Sequence, residues 1–163
     1  APITAGISPD FDPHMDASDA MSFLKQRGIE VADREVDEHK NYGEAMTIDL
    51  LEGDKTINKV SVRGTIAEHN LMVSRVNNFD KLYLEPTGHN LFVEYGDKPG
   101  VIGKIASILG GNDINIIDIR APQDLKLNRS LAAIKVNKVV PEKILSEIKS
   151  SVGADVCFCF TYL

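Results

Sequence analysis

Tryptophan is absent from the 163 residues, cysteine occurs twice, and histidine occurs four times. No apolar run approaches the ~20 residues of a membrane-spanning helix. Each scarcity excludes something. Without tryptophan, and with its lysines and arginines scattered, the chain lacks the basic-aromatic stripe on which single-stranded nucleic acid stacks. A net charge of −6, from 18 basic against 24 acidic residues, argues against a nucleic-acid surface of any kind. Cys157 and Cys159 both sit in "VCFCFTYL" with no histidine nearby, so they read as strand residues and not as the start of a tetrahedral metal site. His14, His39, His69 and His89 stand in polar or turn contexts, with no serine or cysteine nucleophile motif beside them. The expectation is therefore no catalytic residue and no metal ligand. The opening "APITAGISPD" lacks the basic-then-apolar plan of a signal peptide, which points to a cytoplasmic protein with no membrane partner. A start at Ala1 rather than methionine is what an excised piece of a longer protein would have.

What is present falls into two α+β halves. In the first, Asp16 or Ser18 can cap a short helix with Ala17, Ala20, Met21 and Leu24 at helical spacing, closed by Gly28. A strand-like "IEVADREV" and a charged loop, "DEHKNYGE", follow. "AMTIDLLE" alternates with Met46, Ile48 and Leu50 on one face, and Gly53-Asp54 signals a hairpin. With "INKVSVRGTIAE" and "LMVSRVNNFDKLYLEP", the region from Tyr42 to Glu85 reads as a small sheet of hairpins. Pro86, Thr87 and Gly88 punctuate the chain, giving expected domains of 1–86 and 88–163.

The second half is more regular. "HNLFVEY" is a strand, and Val101, Ile102, Ile105, Ile108 and Leu109 mark one face of a helix ended by Gly110-Gly111. Strands "INIIDIRA" and "SLAAIKV" flank a polar loop, "PQDLKLNR". A second helix opens at Pro141 with Ile144, Leu145, Ile148 and Val152 as its stripe, and "VCFCFTYL" is a last strand. The order β-α-β-β-α-β is the ferredoxin-like, split-βαβ plan with an antiparallel sheet.

Within it, "EYGDKPGVIGKI" has the outline of a phosphate loop but the wrong details. Its glycines fall at 96, 100 and 103 where the dinucleotide fingerprint wants G-x-G-x-x-G, and Pro99 removes an N–H donor. Asp97 would stand beside the phosphate, and no helical crossover follows the next strand. No G-x-x-x-x-G-K-[ST] occurs either. The turn suits something smaller. A helix starting near Gly100 offers free N–H groups to a carboxylate, Asp97 suits an ammonium, and Tyr95 and Asn115 add polar groups. Together these complement a zwitterionic amino acid.

"LFVEYGDKPGVIGKIASILGGNDINIIDIRA" resembles the amino-acid-binding ACT domain: an apolar strand, a D/N-[KR]-P-G turn, a helix ending in small residues, and a strand opening I-N-I. With "MDASDAMSFLKQRGIEVADREV", "NYGEAMTIDL" and "VSVRGTIAEHNLMVSRVNNF", the chain from Asp16 onward is similar to the C-terminal regulatory region of long-form D-3-phosphoglycerate dehydrogenases. There an intervening, allosteric-substrate-binding domain precedes the ACT domain.

The resemblance implies a homo-oligomer joined through ACT domains, binding L-serine or a related amino acid across the interface. Its effector residues fall on Tyr95, Asp97, Lys98, Pro99, Gly100, Val101, Asn115 and Ile116. It also implies an anion site in the first half, for which Lys59, Arg63, Arg75 and Lys81 are the candidates. The family's catalytic and NAD-binding domains have no counterpart in these residues, so no cofactor is expected in this chain and those domains are its implied partners. "APITAGISPDFDPH" matches nothing in the family pattern, which leaves the first domain truncated or diverged. Two alternatives share the fold. One is the regulatory part of an iron–sulfur L-serine dehydratase, whose "SSSHT"-type motif and cluster cysteines are missing. The other is an ACT module that dimerises without ligand.

Overall fold

The computed structural model describes residues 2–12, 14–33, 44–53 and 58–162. Two compact units divide the chain, Ala1–Asn41 and Tyr42–Leu163.

Among its described residues the first unit has two helices, α1 (Pro2–Ile7) and α2 (Ala17–Gln26). Asp16 is the N-cap of α2, its carboxylate accepting the Asp19 N–H at 2.9 Å and so satisfying one of the helix's free donors. Ala20 and Leu24 are buried with Phe11, whereas Ala17 and Met21 of the expected stripe are exposed. The reason is aromatic: Phe11 meets Phe23 edge-on at 5.1 Å, and the Arg27 guanidinium lies 3.6 Å over the Phe23 ring while pairing with Asp10. The helix α1 lies in the segment that matched no pattern. Of the expected strand "IEVADREV", residues 29–33 carry no regular structure and the rest lies outside the described residues. Of "DEHKNYGE", only Glu44 is described.

The second unit opens with an antiparallel meander, β1 (Ala45–Glu52), β2 (Asn58–Ala67), β3 (Asn70–Val76) and β4 (Phe79–Leu84), in that spatial order. Met46, Ile48 and Leu50 share one face with Val60, Val62 and Ile66 of β2, as the alternation predicts, and all six are exposed. On β1 and β2 the opposite face is mostly polar, with Thr47, Asp49, Lys59, Ser61 and Arg63. Strands β5 (Gly88–Gly96), β6 (Ile116–Arg120), β8 (Arg129–Val136) and β9 (Ala154–Tyr162) form the second sheet in the order β6-β8-β5-β9, all neighbours antiparallel. Helices α3 (Val101–Gly111) and α4 (Glu142–Val152) complete the expected β-α-β-β-α-β order. Two details differ from expectation. The polar loop contains a two-residue strand, β7 (Gln123–Asp124), paired with β8, and Pro141 is the N-cap of α4 instead of part of its first turn.

The core lies between this sheet and its helices. Leu91, Val93, Ala132 and Ile134 from the strands meet Ile105, Leu109 and Ile148 from the helices, all fully buried. On the other face of the sheet, Leu82 and Leu84 of β4 pack against Phe92 and Ala133. The Pro86–Gly88 joint therefore lies inside the second unit, between its two sheets. Lys135 Nζ reaches Glu85 (3.3 Å) and Thr87 (2.5 Å), and Asn90 Nδ2 donates to the Thr87 carbonyl at 3.0 Å.

In β9, Cys157 and Cys159 turn to the helix side and pack against the core, leaving Val156, Phe158 and Phe160 exposed on the other face. Burial pushes the Cys157 thiol up to about 11. At pH 8 its thiolate fraction is then on the order of 0.1%, so a disulfide-exchange reagent will modify it more than tenfold slower than free cysteine. Timed thiol titration of the native chain checks this.

Candidate functional site

The chain leaves β5 at Gly96 and turns through Asp97, Lys98, Pro99 and Gly100 into α3. Gly100 is the N-cap with φ +87°, in the left-handed region where a side chain is strained. A glycine there has no side chain to cap the helix, so no N-cap side chain competes for the first N–H groups of α3. Val101 is buried and anchors the helix start, while Lys98, Pro99 and Gly100 are exposed.

Asp97 is half-buried and already engaged. Its Oδ1 accepts the Ser130 hydroxyl at 2.8 Å, its Oδ2 accepts Gln123 Nε2 at 3.1 Å, and its own N–H donates to the Asn128 carbonyl at 3.0 Å. Ser130 and Gln123 hold one donor on each oxygen, so an ammonium N–H arriving there has to share Oδ1 or Oδ2 with a donor already in place. Tyr95 is buried, and that burial raises its hydroxyl pKa, opposed by a hydrogen bond with Ser130. Its side chain belongs to the core, behind the turn.

Asn115 and Ile116 lie elsewhere. The Asn115 N–H donates to Asn137 Oδ1 and its carbonyl accepts the Asn137 N–H, placing it beyond the Val136 end of β8. Asp97 sits at the other end, beside Ser130. Seven residues of extended chain separate Ser130 from Asn137, about 23 Å at 3.3 Å per residue. The structure therefore does not bring Asp97 and Asn115 together within one chain. Both ends, however, lie along one edge of the sheet, where β6 and then β7 flank β8: Asn115 precedes β6, Asp97 bonds Gln123 of β7, and Ile117 on β6 is 60% exposed.

Of the four candidate anion ligands, two share a cavity. Lys59 and Arg75, on the polar face of the first sheet, line a space of 420 Å³ with Ser61, Glu94, Asp124 and Arg129. Lys59 pairs with Asp49 at 2.9 Å, and Arg129 Nε lies 2.9 Å from Glu94 without hydrogen-bond geometry while its Nη2 also pairs with Asp155. Arg75 differs: its Nη2 donates to the Ser61 hydroxyl at 3.0 Å, and its buried Nε has no partner among the described residues. Arg63 pairs instead with Asp80 and bonds Thr47, and Lys81 lines a separate recess beside Arg120. Sequence reasoning missed Arg129, Gln123 and Ser130. No local spacing marks them, since a hairpin delivers them from about 26 to 70 residues away.

The Ser61 hydroxyl, then Lys59, hold the Asp49 carboxyl below its ordinary range. A depressed folded-state pKa contributes stability that is present above about pH 4 and lost as pH falls through the lowered value. Asp49→Asn will flatten that acid limb, which urea denaturation between pH 2 and 5 can follow. Among the described residues, no group of three or more His, Cys, Asp or Glu could hold a metal, and no helix is long and apolar enough to cross a membrane.

Residues 89–153 match the family model of the ACT domain. The chain is 25% identical over 143 residues to D-3-phosphoglycerate dehydrogenase of Bacillus subtilis, covering 87% of this chain and 26% of that protein. It is 27% identical over 143 residues to the protein of that name from Methanocaldococcus jannaschii, covering 88% and 26%. With the Synechocystis protein of that name, it is 26% identical over 130 residues, covering 79% and 23%. The chain thus spans about a quarter of the length of the curated relatives it matches.

Proposed function

We propose, on the premise that residues 89–153 are an ACT domain, that the chain is a regulatory piece of a phosphoglycerate dehydrogenase, sensing L-serine or a close relative for feedback control of serine biosynthesis. One observation carries the reading. Asp97, a fixed carboxylate, stands three residues before a helix start with no side-chain cap, while Asn115 stands at the far end of the edge that β6 and β7 form along β8. Two copies pairing β6 antiparallel about a two-fold axis would bring the Asn115 end of one chain to the Asp97 end of its partner. The amine of the ligand then bonds Asp97, its carboxylate takes the α3 N–H groups, and Asn115 of the second chain supplies a donor and an acceptor.

The control mechanism is linkage. A ligand shared by two chains stabilises the paired arrangement over the unpaired or rotated one, and only that difference in affinity can act on catalytic domains elsewhere. Calorimetric titration of the chain with L-serine, glycine and L-alanine tests the reading. Saturable serine binding that Asp97→Ala weakens at least fiftyfold supports it. A dimer by sedimentation with no amino-acid binding at millimolar concentration would replace it with the ligand-free dimerisation module. Serine binding coupled to iron–sulfur partner domains would favour the dehydratase.

A second reading concerns the cavity between the sheets. Lys59, Arg75 and Arg129 line it together, and the buried Arg75 Nε has no hydrogen-bond partner among the described residues, the condition that an oxyanion would relieve. We read it as the site for phosphate or a phosphorylated substrate. Arg75→Met will abolish phosphate binding measured by the same calorimetry.

A further inference from the structure

The hairpin that holds Asp97 is also a wall of the cationic cavity. On one side Gln123 and Ser130 donate to the Asp97 carboxylate, and Asn128 accepts its N–H. On the other side Asp124, Leu127 and Arg129 face Lys59 and Arg75. The hairpin tip is knitted internally, since Asp124 Oδ1 accepts the N–H groups of Lys126 and Leu127 at 2.9 and 3.2 Å. The base of the hairpin is tied to the turn as well, Arg129 pairing with Gly96 and Ser130 with Tyr95, so a change at Asp97 or Gln123 reaches Arg129 through one ladder step.

We propose that residues 123–130 form a latch coupling the amino-acid turn to the anion cavity with negative sign, Gln123 and Ser130 acting as positioning residues. The proposal rests on the amino-acid and anion readings above. An ammonium group approaching Asp97 competes with Gln123 Nε2 for Oδ2. Taking that acceptor loosens the hairpin and withdraws Arg129 from the other cations. A bound oxyanion draws Arg129 toward Lys59 and Arg75, seats the hairpin, and holds Gln123 on Asp97. Reciprocity is then obligatory: whatever factor phosphate imposes on amino-acid affinity, the amino acid imposes on phosphate.

The test is calorimetric titration of the full chain with L-serine and with inorganic phosphate, each alone and each with the other saturating, chloride matching the ionic strength. Saturating phosphate is expected to weaken serine about fivefold, and serine to weaken phosphate by the same factor. In Gln123→Ala, Oδ2 is released, so serine should bind more tightly than to the wild type and the coupling factor should fall toward one. A variant that merely disturbed the fold would not gain affinity. Equal serine affinity with and without phosphate, or weaker serine binding by Gln123→Ala, would overturn the latch. A second arm needs no amino acid. Asp97→Ala removes the anchor of the hairpin and should weaken phosphate at least threefold, with Ser130→Ala shifting it in the same direction. Unchanged phosphate affinity in both variants overturns the proposal whatever serine does, as does failure of the wild type to bind phosphate. Failure of the wild type to bind serine would instead overturn the amino-acid sensor, while the phosphate arm still decides the latch.

Discussion

On the proposed interface, Ile117→Lys is expected to give a monomer that has lost serine binding. Ile117 is on β6, at one edge of the second sheet, with 60% of its surface exposed and the core contacts carried by its neighbours Ile116 and Ile119. The substitution therefore leaves the fold intact and acts on the edge, where a lysine blocks strand pairing by its charge and hydration. If the ligand is held by Asp97 of one chain and Asn115 of the other, separating the chains removes half of its contacts at once. Affinity should fall by more than a hundredfold while Asp97 itself is untouched. Sedimentation velocity and calorimetry on the same sample read the two effects together. A monomeric Ile117→Lys protein binding serine as the wild type does would end the interface reading, because it would put every contact within one chain.

Leu82→Ala should be among the most destabilising single changes in the second unit. Leu82 is fully buried, and it packs across the joint onto Phe92 and Ala133 of the other sheet. Truncating a buried leucine costs about 2–5 kcal/mol, a large share of the 5–15 kcal/mol that holds an ordinary domain together. Because the side chain belongs to the first sheet and its partners to the second, the loss should lower the stability of both. Urea unfolding followed by far-UV circular dichroism should show one transition at a lower midpoint. Hydrogen exchange at the Ile134 amide should accelerate in parallel. Two separated transitions, with the second sheet unmoved, would mean that the sheets unfold independently despite their shared core.

Much of the second half was legible because each signal there is local. Ile105, Leu109, Ile144, Leu145, Ile148 and Val152 recur at helical spacing, and all are buried where the period places them. Alternation in β9 sorted Cys157 and Cys159 from Phe158 and Phe160 correctly. The same rule grouped Met46, Ile48 and Leu50 on one face of β1, but not its exposure, since periodicity states which residues share a face and never what covers it. Met21 failed for a related reason: helical spacing allowed it a place in the stripe, but the Phe11–Phe23 contact set which side of α2 was buried.

The turn from Tyr95 to Gly100 divides in the same way. Glycine at position 100, an acidic residue at 97 and an apolar helix beyond are properties of contiguous residues, so the chain alone determined a tight turn, an open helix start and a nearby negative charge. That Tyr95 is buried in the core, that Asp97 is claimed by Gln123 and Ser130, and that Asn115 stands about 23 Å away along the sheet were decided only by the tertiary structure. Hydrogen bonds and burial join residues that antiparallel pairing brings side by side, and pairing register is a property of whole strands. No spacing along the chain encodes it.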